Sequence, residues 1–470
     1  MRLADRIASI LALDPAAPAI EYEGAWRSWG QLREAMASLE AALGDHRRVG
    51  ILMRNHVAIV PAILEAIGHG RCLVVLNPML PADRLAADLA QTGVGALIGV
   101  AEDLDRLDAG DRLVAETGDA VQVRRRGSGP GAPGRPEVAV EMLTSGTTGP
   151  PKRIPMRRST LEEAIFAAAR FEKGRGEGDA PRLRKGVQLV MAPFSHIGGL
   201  FALLNAIAAG RSMVLLPKFT VEGFRDAVKR HGIKAASTPP AALRMIYDAD
   251  VPKADLASLM AFRSGTAPLD PALAQAVYDR YGIPVLQNYG ATEFGGGVAG
   301  WTLDDFRAHW PAKSGSVGRL NPGVEGRIVE GVLELKSRQI GDGETWLATT
   351  DLARIDEDGF LFILGRADNA IIRGGFKIQP DDIVRALEAH PAVKEAAVTA
   401  LADARLGQVP GAAYLLRAGA AAPSEAEFAA FLKHRLTGYQ IPAVLKAVET
   451  LPRTVSMKVD QSALRALLEG

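Results

Sequence analysis

The sequence predicts an α/β protein. A large N-terminal domain holds two doubly wound sheets and a β-rich subdomain, and a small α+β domain follows. Three observations carry this. Short apolar runs alternate with amphipathic helical patterns over residues 50–100. The same alternation resumes over 187–263, after a Gly/Pro-rich break at 127–136. Beyond residue 317 the pattern turns β-rich, and the last hundred or so residues return to mixed α and β.

Taken in order, residues 50–53 read as a strand. Residues 56–68 read as a helix with Val57, Val60, Ile63, Leu64 and Ile67 on one face. A strand at 72–76, a helix at 81–91 and a strand at 96–100 complete a β-α-β-α-β order, which calls for a largely parallel sheet covered on both faces. In the second half, strands at 187–191, 212–216, 234–237 and 259–263 alternate with helices at 200–209 and 221–231. Residues 324–335 and 360–364 read as hairpin-style β structure. Helices at 380–388 and 425–436 and strands at 396–400 and 412–416 then form a separate unit. The expected division is 1–367 and 368–470.

Bulk properties narrow the function. The 470 residues are 48% apolar and 23% charged, with a net charge of +1, so nothing favours a nucleic acid or an acidic membrane as partner. The basic run Arg124-Arg125-Arg126 sits beside glycines and a proline and reads as a solvated loop. The single cysteine, Cys72, lies in an apolar run and reads as a buried structural thiol, which suits a reducing compartment. The first residues lack the apolar core of a signal peptide. The longest apolar stretch, 197–210, falls short of the roughly 20 residues a membrane span needs. A cytoplasmic location is expected.

The chemistry concentrates in Thr144-Ser145-Gly146-Thr147-Thr148-Gly149-Pro150-Pro151-Lys152. Glycines let backbone approach a ligand, exposed N–H groups form an anion nest, and hydroxyls and an ammonium add donors. This is a phosphate cradle. It is not a P-loop, because the spacing and the terminal hydroxyl differ, and no H-R-D or D-F-G accompanies it as in a kinase. A G-x-G-x-x-G string at Gly129, Gly131 and Gly134 lies in a Pro-rich basic stretch with no strand before it, and reads as a linker.

Four further stretches follow in order: Tyr289-Gly290-Ala291-Thr292-Glu293, Thr350-Asp351-Leu352, Gly365-Arg366-Ala367-Asp368, and Leu451-Pro452-Arg453-Thr454 with Lys458. Together with the cradle they resemble the superfamily of acyl/aryl-CoA synthetases, peptide-synthetase adenylation domains and luciferases, over residues of about 50 to 460.

The resemblance implies a role for each residue. Thr144, Ser145, Gly146, Thr147, Thr148, Gly149 and Lys152 would hold the β- and γ-phosphates of ATP. Tyr289 would stack on adenine, with Gly265, Thr266 and Ala267 on the other side of the ring. Thr292 would bond the α-phosphate and Glu293 would hold Mg²⁺, since a hard cation bridging phosphates prefers a carboxylate and water. Asp351 and Arg366 would bind the ribose. Lys458 would be catalytic, reaching between the carboxylate and the α-phosphate, and a mobile ammonium suits an in-line displacement governed by positioning and charge. The family usually has Gly before this lysine; this chain has Met457. Asp368 would be the hinge of a mobile C-terminal domain. Gly374 and Gly375 would line the CoA pantetheine tunnel, with Phe376 where many relatives carry Glu.

His196, at a helix start, would lie beside the acid site. The remaining pocket candidates are Phe194, Ile197, Phe201, Thr238, Arg263, Ser264, Gly290, Phe294 and Gly295, which suit a small aryl or medium aliphatic acid. Arg263 would pair with a second carboxylate or pack structurally. The expected reaction is ATP-dependent ligation of a small carboxylic acid to coenzyme A. A carrier protein or amine acceptor is the alternative, and a non-catalytic nucleotide-binding protein the remote one.

Overall fold

The computed structural model describes residues 2–127, 129, 131–144, 152–168, 178–366, 370–373, 376–454 and 457–470. The chain forms two compact units: 1–145 with 151–325 and 336–345, and 326–335 with 346–470, apart from 146–150.

The first unit is built on a seven-stranded sheet. Its order is Val121–Arg125, Leu113–Thr117, Ala96–Gly99, Arg48–Leu52, Cys72–Leu76, Val138–Thr144, Lys152–Arg157. The central strands run parallel and both edges are antiparallel. Cys72–Leu76 and Ala96–Gly99 are buried along their whole length. That explains their continuous apolar runs, because side chains alternate between two covered faces. Val49, Ile51, Leu73, Val75 and Ile98 enter one core, while Leu52, Val74, Leu76 and Leu97 enter another on the opposite face.

The predicted helix at 56–68 starts as a 3₁₀ turn, Val57–Ile59, before the α-helix Val60–Gly68. Pro61 sits in the first turn of the α-helix, where its missing N–H has no partner to lose. The basic run is not the loop expected of it. Arg124 and Arg125 lie on the exposed edge strand Val121–Arg125, and Arg124 pairs with Asp105 and Glu116.

The second half shows the expected strand-helix alternation, but its strands fall in two sheets. One has the order Arg184–Val190, Arg211–Leu215, Pro18–Tyr22, Ala25–Ser28. Its parallel pairing of Ile20 with Met213 draws the N-terminus into a sheet that the local pattern assigned to the second half alone. The other has the order Ala235–Ser237, Ala261–Ser264, Val285–Ala291, Gly296–Gly300, Arg319–Leu320. Phe224, Val228, Phe262, Val277 and Val285 form its helix-covered core.

The second unit carries the four-stranded antiparallel sheet formed by Glu325–Val329, Val332–Lys336, Leu347–Ile355 and Leu361–Arg366. It also carries a sheet centred on the long hairpin of Val393–Asp403 and Gly407–Leu416. Helices Pro380–Glu388 and Glu425–Lys433 bury Ile383, Leu387, Phe428 and Leu432 on one face of that sheet. Helix Gln461–Glu469 buries Leu464 and Leu468 against Leu401, Val409 and Ala413 on the other.

Candidate functional site

In the first unit the candidate residues gather at the carboxyl ends of parallel strands, where open α/β sheets bind ligands. Strands Val138–Thr144 and Lys152–Arg157 pair with Thr144 opposite Lys152, so the phosphate-cradle string joins the two arms of one hairpin. Ser145, Gly146, Thr147, Thr148 and Gly149 lie outside the described residues. Arg153 braces the hairpin, donating to the carbonyl oxygen of Val75 at 3.0 Å and to Asp88 at 2.5 Å.

Strand Ala261–Ser264 ends in the Gly265-Thr266-Ala267 loop. A Cβ at Gly265 would stand 1.8 Å from Oδ1 of Asn288 and 3.3 Å from its main-chain oxygen, so any side chain here would have to turn Asn288 aside on the strand that carries Tyr289. Thr266 has φ +72°, a left-handed conformation that costs a non-glycine residue about 1–3 kcal/mol and is concentrated at functional sites. Tyr289 is half-buried and meets Phe294 edge-on at 6.3 Å between ring centres.

Thr292–Phe294 forms a short 3₁₀ turn after strand Val285–Ala291. Glu293 is exposed there and has no ion pair among the described residues. A free carboxylate fits Mg²⁺, whose other ligands would come from phosphate and water. No group of three or more His, Cys, Asp or Glu that could hold a metal occurs among the described residues, so a cation here would need those outside ligands.

The acid-pocket candidates lie on several elements of the same unit. His196 precedes helix Ile197–Ala209 in extended conformation, and its N–H donates to the carbonyl of Pro193 at 3.0 Å. Phe201 lies on that helix, and a Cβ at Gly296 would approach its ring to 3.1 Å. Gly290 faces Gly296 and Gly297 across the strand pair, where a Cβ would meet the Gly296 oxygen at 2.3 Å. Gly295 has φ +68° and lies against Thr160. Phe294 and Phe194 are buried. Arg263 is exposed and Ser264 buried. Thr238 follows the neighbouring strand, and its N–H donates to the Arg263 carbonyl at 2.8 Å. The hydroxyls of Thr238 and Ser264 are buried and have no hydrogen-bond partner among the described residues.

Two polar residues absent from the sequence reading support this site. Asn55 takes the N–H of Phe194 on its Oδ1 at 2.8 Å and donates to the carbonyls of Ala192 and Leu216, which fixes the turn before His196. Its only sequence signal is a short polar residue just past the end of a strand. Gln339, itself buried, donates to the carbonyls of Phe294 and Gly297, and nothing in its local sequence marks it.

In the second unit Asp351 and Arg366 are cross-strand partners, with Arg366 Nε 3.8 Å from Asp351 Oδ1. Arg366 also donates to Thr350 Oγ1 at 2.6 Å. The two ribose candidates are therefore neighbours. Lys458 is exposed, just inside an isolated bridge between Arg453 and Val459. Met457 before it has φ +65°, a left-handed conformation that favours glycine. Phe376 stacks on Tyr439 at 4.5 Å. Asp368, Gly374 and Gly375 lie outside the described residues.

Comparison with known proteins shows the family of the chain. A family model described as AMP-binding enzyme matches residues 10–354, and one described as AMP-binding enzyme C-terminal domain matches 385–458. The 2-succinylbenzoate–CoA ligase of Bacillus cereus is 28% identical, covering 97% of each chain. The o-succinylbenzoate CoA synthetase of Bacillus subtilis, solved with its acyl-adenylate intermediate, is 25% identical with a TM-score of 0.77, covering 99% of this chain and 98% of that one. That synthetase has also been solved with ATP and a magnesium ion. ATP-bound MatB of Rhodopseudomonas palustris, 22% identical with a TM-score of 0.81 over 99% of each chain, shares the fold. No helix among the described residues is long and apolar enough to cross a membrane.

Proposed function

The chain belongs to the AMP-binding enzyme family, and from that premise we propose that it is an ATP-dependent acid–CoA ligase. A carboxylate oxygen attacks the α-phosphorus of ATP, and the bond to the β-phosphate oxygen breaks. The products are an acyl-adenylate and pyrophosphate. The CoA thiolate then attacks the acyl carbon and AMP leaves. The observation that carries this reading is the pair of family matches over residues 10–354 and 385–458, and the Thr144/Lys152 hairpin, the Gly265–Ala267 loop and the Thr292–Phe294 turn each lie at a strand end of one unit.

In this reading Thr292 bonds the α-phosphate, Tyr289 and the Gly265–Ala267 loop hold adenine, and Asp351 with Arg366 holds the ribose. Glu293 would hold Mg²⁺, which when bound neutralises phosphate charge. Lys458 stabilises the charge that develops between the attacking carboxylate and the α-phosphate. The functional boundary falls at 367/368. The gap between the two family matches, 355–384, supports a boundary in that interval.

The acid we propose is an aryl carboxylate with a second carboxylate, of the 2-succinylbenzoate class. Similarity to ligases with that name along 97% of both chains supports it, as do the small residues around Glu293 and the exposed Arg263. The acceptor is free CoA, which the similarity to ligases named for CoA supports. The enzyme works in the cytoplasm.

A pyrophosphate-release screen across succinylbenzoate, simple aryl, fatty and dicarboxylic acids, with the thioester measured in parallel, tests this. Thioester should form fastest with succinylbenzoate. Adenylate without thioester for every acid would overturn the acceptor, and a preference for fatty acids would overturn the acid. Lys458→Ala should abolish ATP–pyrophosphate exchange while ATP still binds.

A further inference from the structure

We propose that Glu395 and Arg453 are positioning residues for Lys458, acting through the main-chain oxygen of Met457. The proposal rests on the reading of Lys458 as the adenylating lysine.

The lysine sits on a narrow hairpin. Its root is fixed where Leu451 is buried against Leu464 and Leu468, and where the Asp460 N–H donates to the Pro452 carbonyl at 2.9 Å. Arg453 and Val459 form a bridge. Further out, the Thr454 N–H donates to the Lys458 carbonyl at 2.8 Å and the Met457 N–H to the Thr454 carbonyl at 2.9 Å. To close these bonds Met457 takes φ +65°. An L side chain there costs roughly five- to thirty-fold in population relative to glycine. The hairpin must therefore draw on other contacts to hold its shape.

Arg453 supplies them. One guanidinium nitrogen, Nη1, donates to the Met457 oxygen at 2.7 Å, locking the peptide that joins Met457 to Lys458. The other, Nη2, pairs with Glu395 on strand Val393–Asp403. Glu395 is itself paired with Leu415 in the central hairpin of the sheet. The carbonyls on both sides of the Lys458 α-carbon are thus bonded, one to Arg453 and one to Thr454. Arg453 and Glu395 are both partly buried, and such charge-assisted bonds are stronger than neutral ones. The fork of one arginine spans carboxylate and carbonyl together, which a lysine cannot do. The clamp ties the lysine to the rigid sheet and offsets the cost of methionine in a glycine conformation.

The test uses the full chain and separates the half-reactions. Glu395→Gln and Arg453→Gln should lower ATP–pyrophosphate exchange at least tenfold. CoA thioester formation from preformed acyl-adenylate, which does not need the lysine, should stay within about twofold. Arg453→Lys should behave like Arg453→Gln. Met457→Gly in the Arg453→Gln background should recover exchange several-fold. Equal loss in both half-reactions, or no recovery by glycine, would overturn the clamp. Glu395→Gln is isosteric and keeps the test valid if Arg453→Gln does not fold. Lys458→Ala run alongside separates the two ideas. If it keeps exchange, the reading of Lys458 falls; if it abolishes exchange while the clamp variants do not, only the clamp falls.

Discussion

The side-chain amide of Gln339 donates to the main-chain oxygen of Phe294 at 2.7 Å, and to that of Gly297 at 3.4 Å. A residue with no motif around it thereby ties down the turn that carries Glu293. Gln339→Met removes the donor to the carbonyl of buried Phe294, while the Gly297 carbonyl keeps its bond from Asn321, at a cost of about 1–3 kcal/mol. The variant should unfold at lower denaturant and show a lower kcat/KM for adenylation. Unchanged values for both would mean that the turn holds itself.

Gly265 lets its loop lie close to Asn288, where a Cβ would stand 1.8 Å from Oδ1 and 3.3 Å from the main-chain oxygen. Gly265→Ala should push the loop away from the Tyr289 strand and weaken ATP binding more than tenfold, read by calorimetric titration. The overall fold should persist, checked by circular dichroism, because the clash lies at a strand end rather than in the core.

Thr238 and Ser264 bury hydroxyls without partners among the described residues. Thr238→Val exchanges such a hydroxyl for a methyl of the same shape, and an orphaned buried polar group costs about 1–3 kcal/mol. The variant should be more stable by about 1 kcal/mol in denaturant unfolding. If stability drops instead, the hydroxyl has a bonded partner such as an ordered water.

Burial pushes the Cys72 thiol up to about 12 from an ordinary 9.0. The folded chain therefore holds this proton more tightly than the unfolded chain. Its contribution is fully present below about pH 9 and is lost as pH rises from there through 12. Cys72→Ala should flatten that part of the stability curve. In the native protein the thiol should resist alkylating reagents at pH 8 and react only on unfolding.

Asp351 and Arg366 were legible as members of separate short strings, and the fold makes them cross-strand neighbours. The strands 72–76 and 96–99 were equally legible, because burial on both faces writes itself as an unbroken apolar run. Asn55, Gln339 and Glu395 were not. Each is a single polar residue in unexceptional surroundings, and its importance comes from a carbonyl, an amide or a guanidinium far away in sequence.

By itself, then, the sequence determined the central strands and helices of the first sheet and the residue strings of the cradle, the Tyr289–Glu293 segment and the lysine hairpin. These depend on local periodicity and on residue types within a few positions of one another. Only the tertiary structure decided that Pro18–Tyr22 completes a sheet with Arg211–Leu215, that Gln339 secures the Glu293 turn, and that Met457 takes a glycine's conformation beside Lys458. Strand pairing and side-chain bonds to backbone join residues that chain order keeps apart, so no window along the sequence contains both halves of the contact.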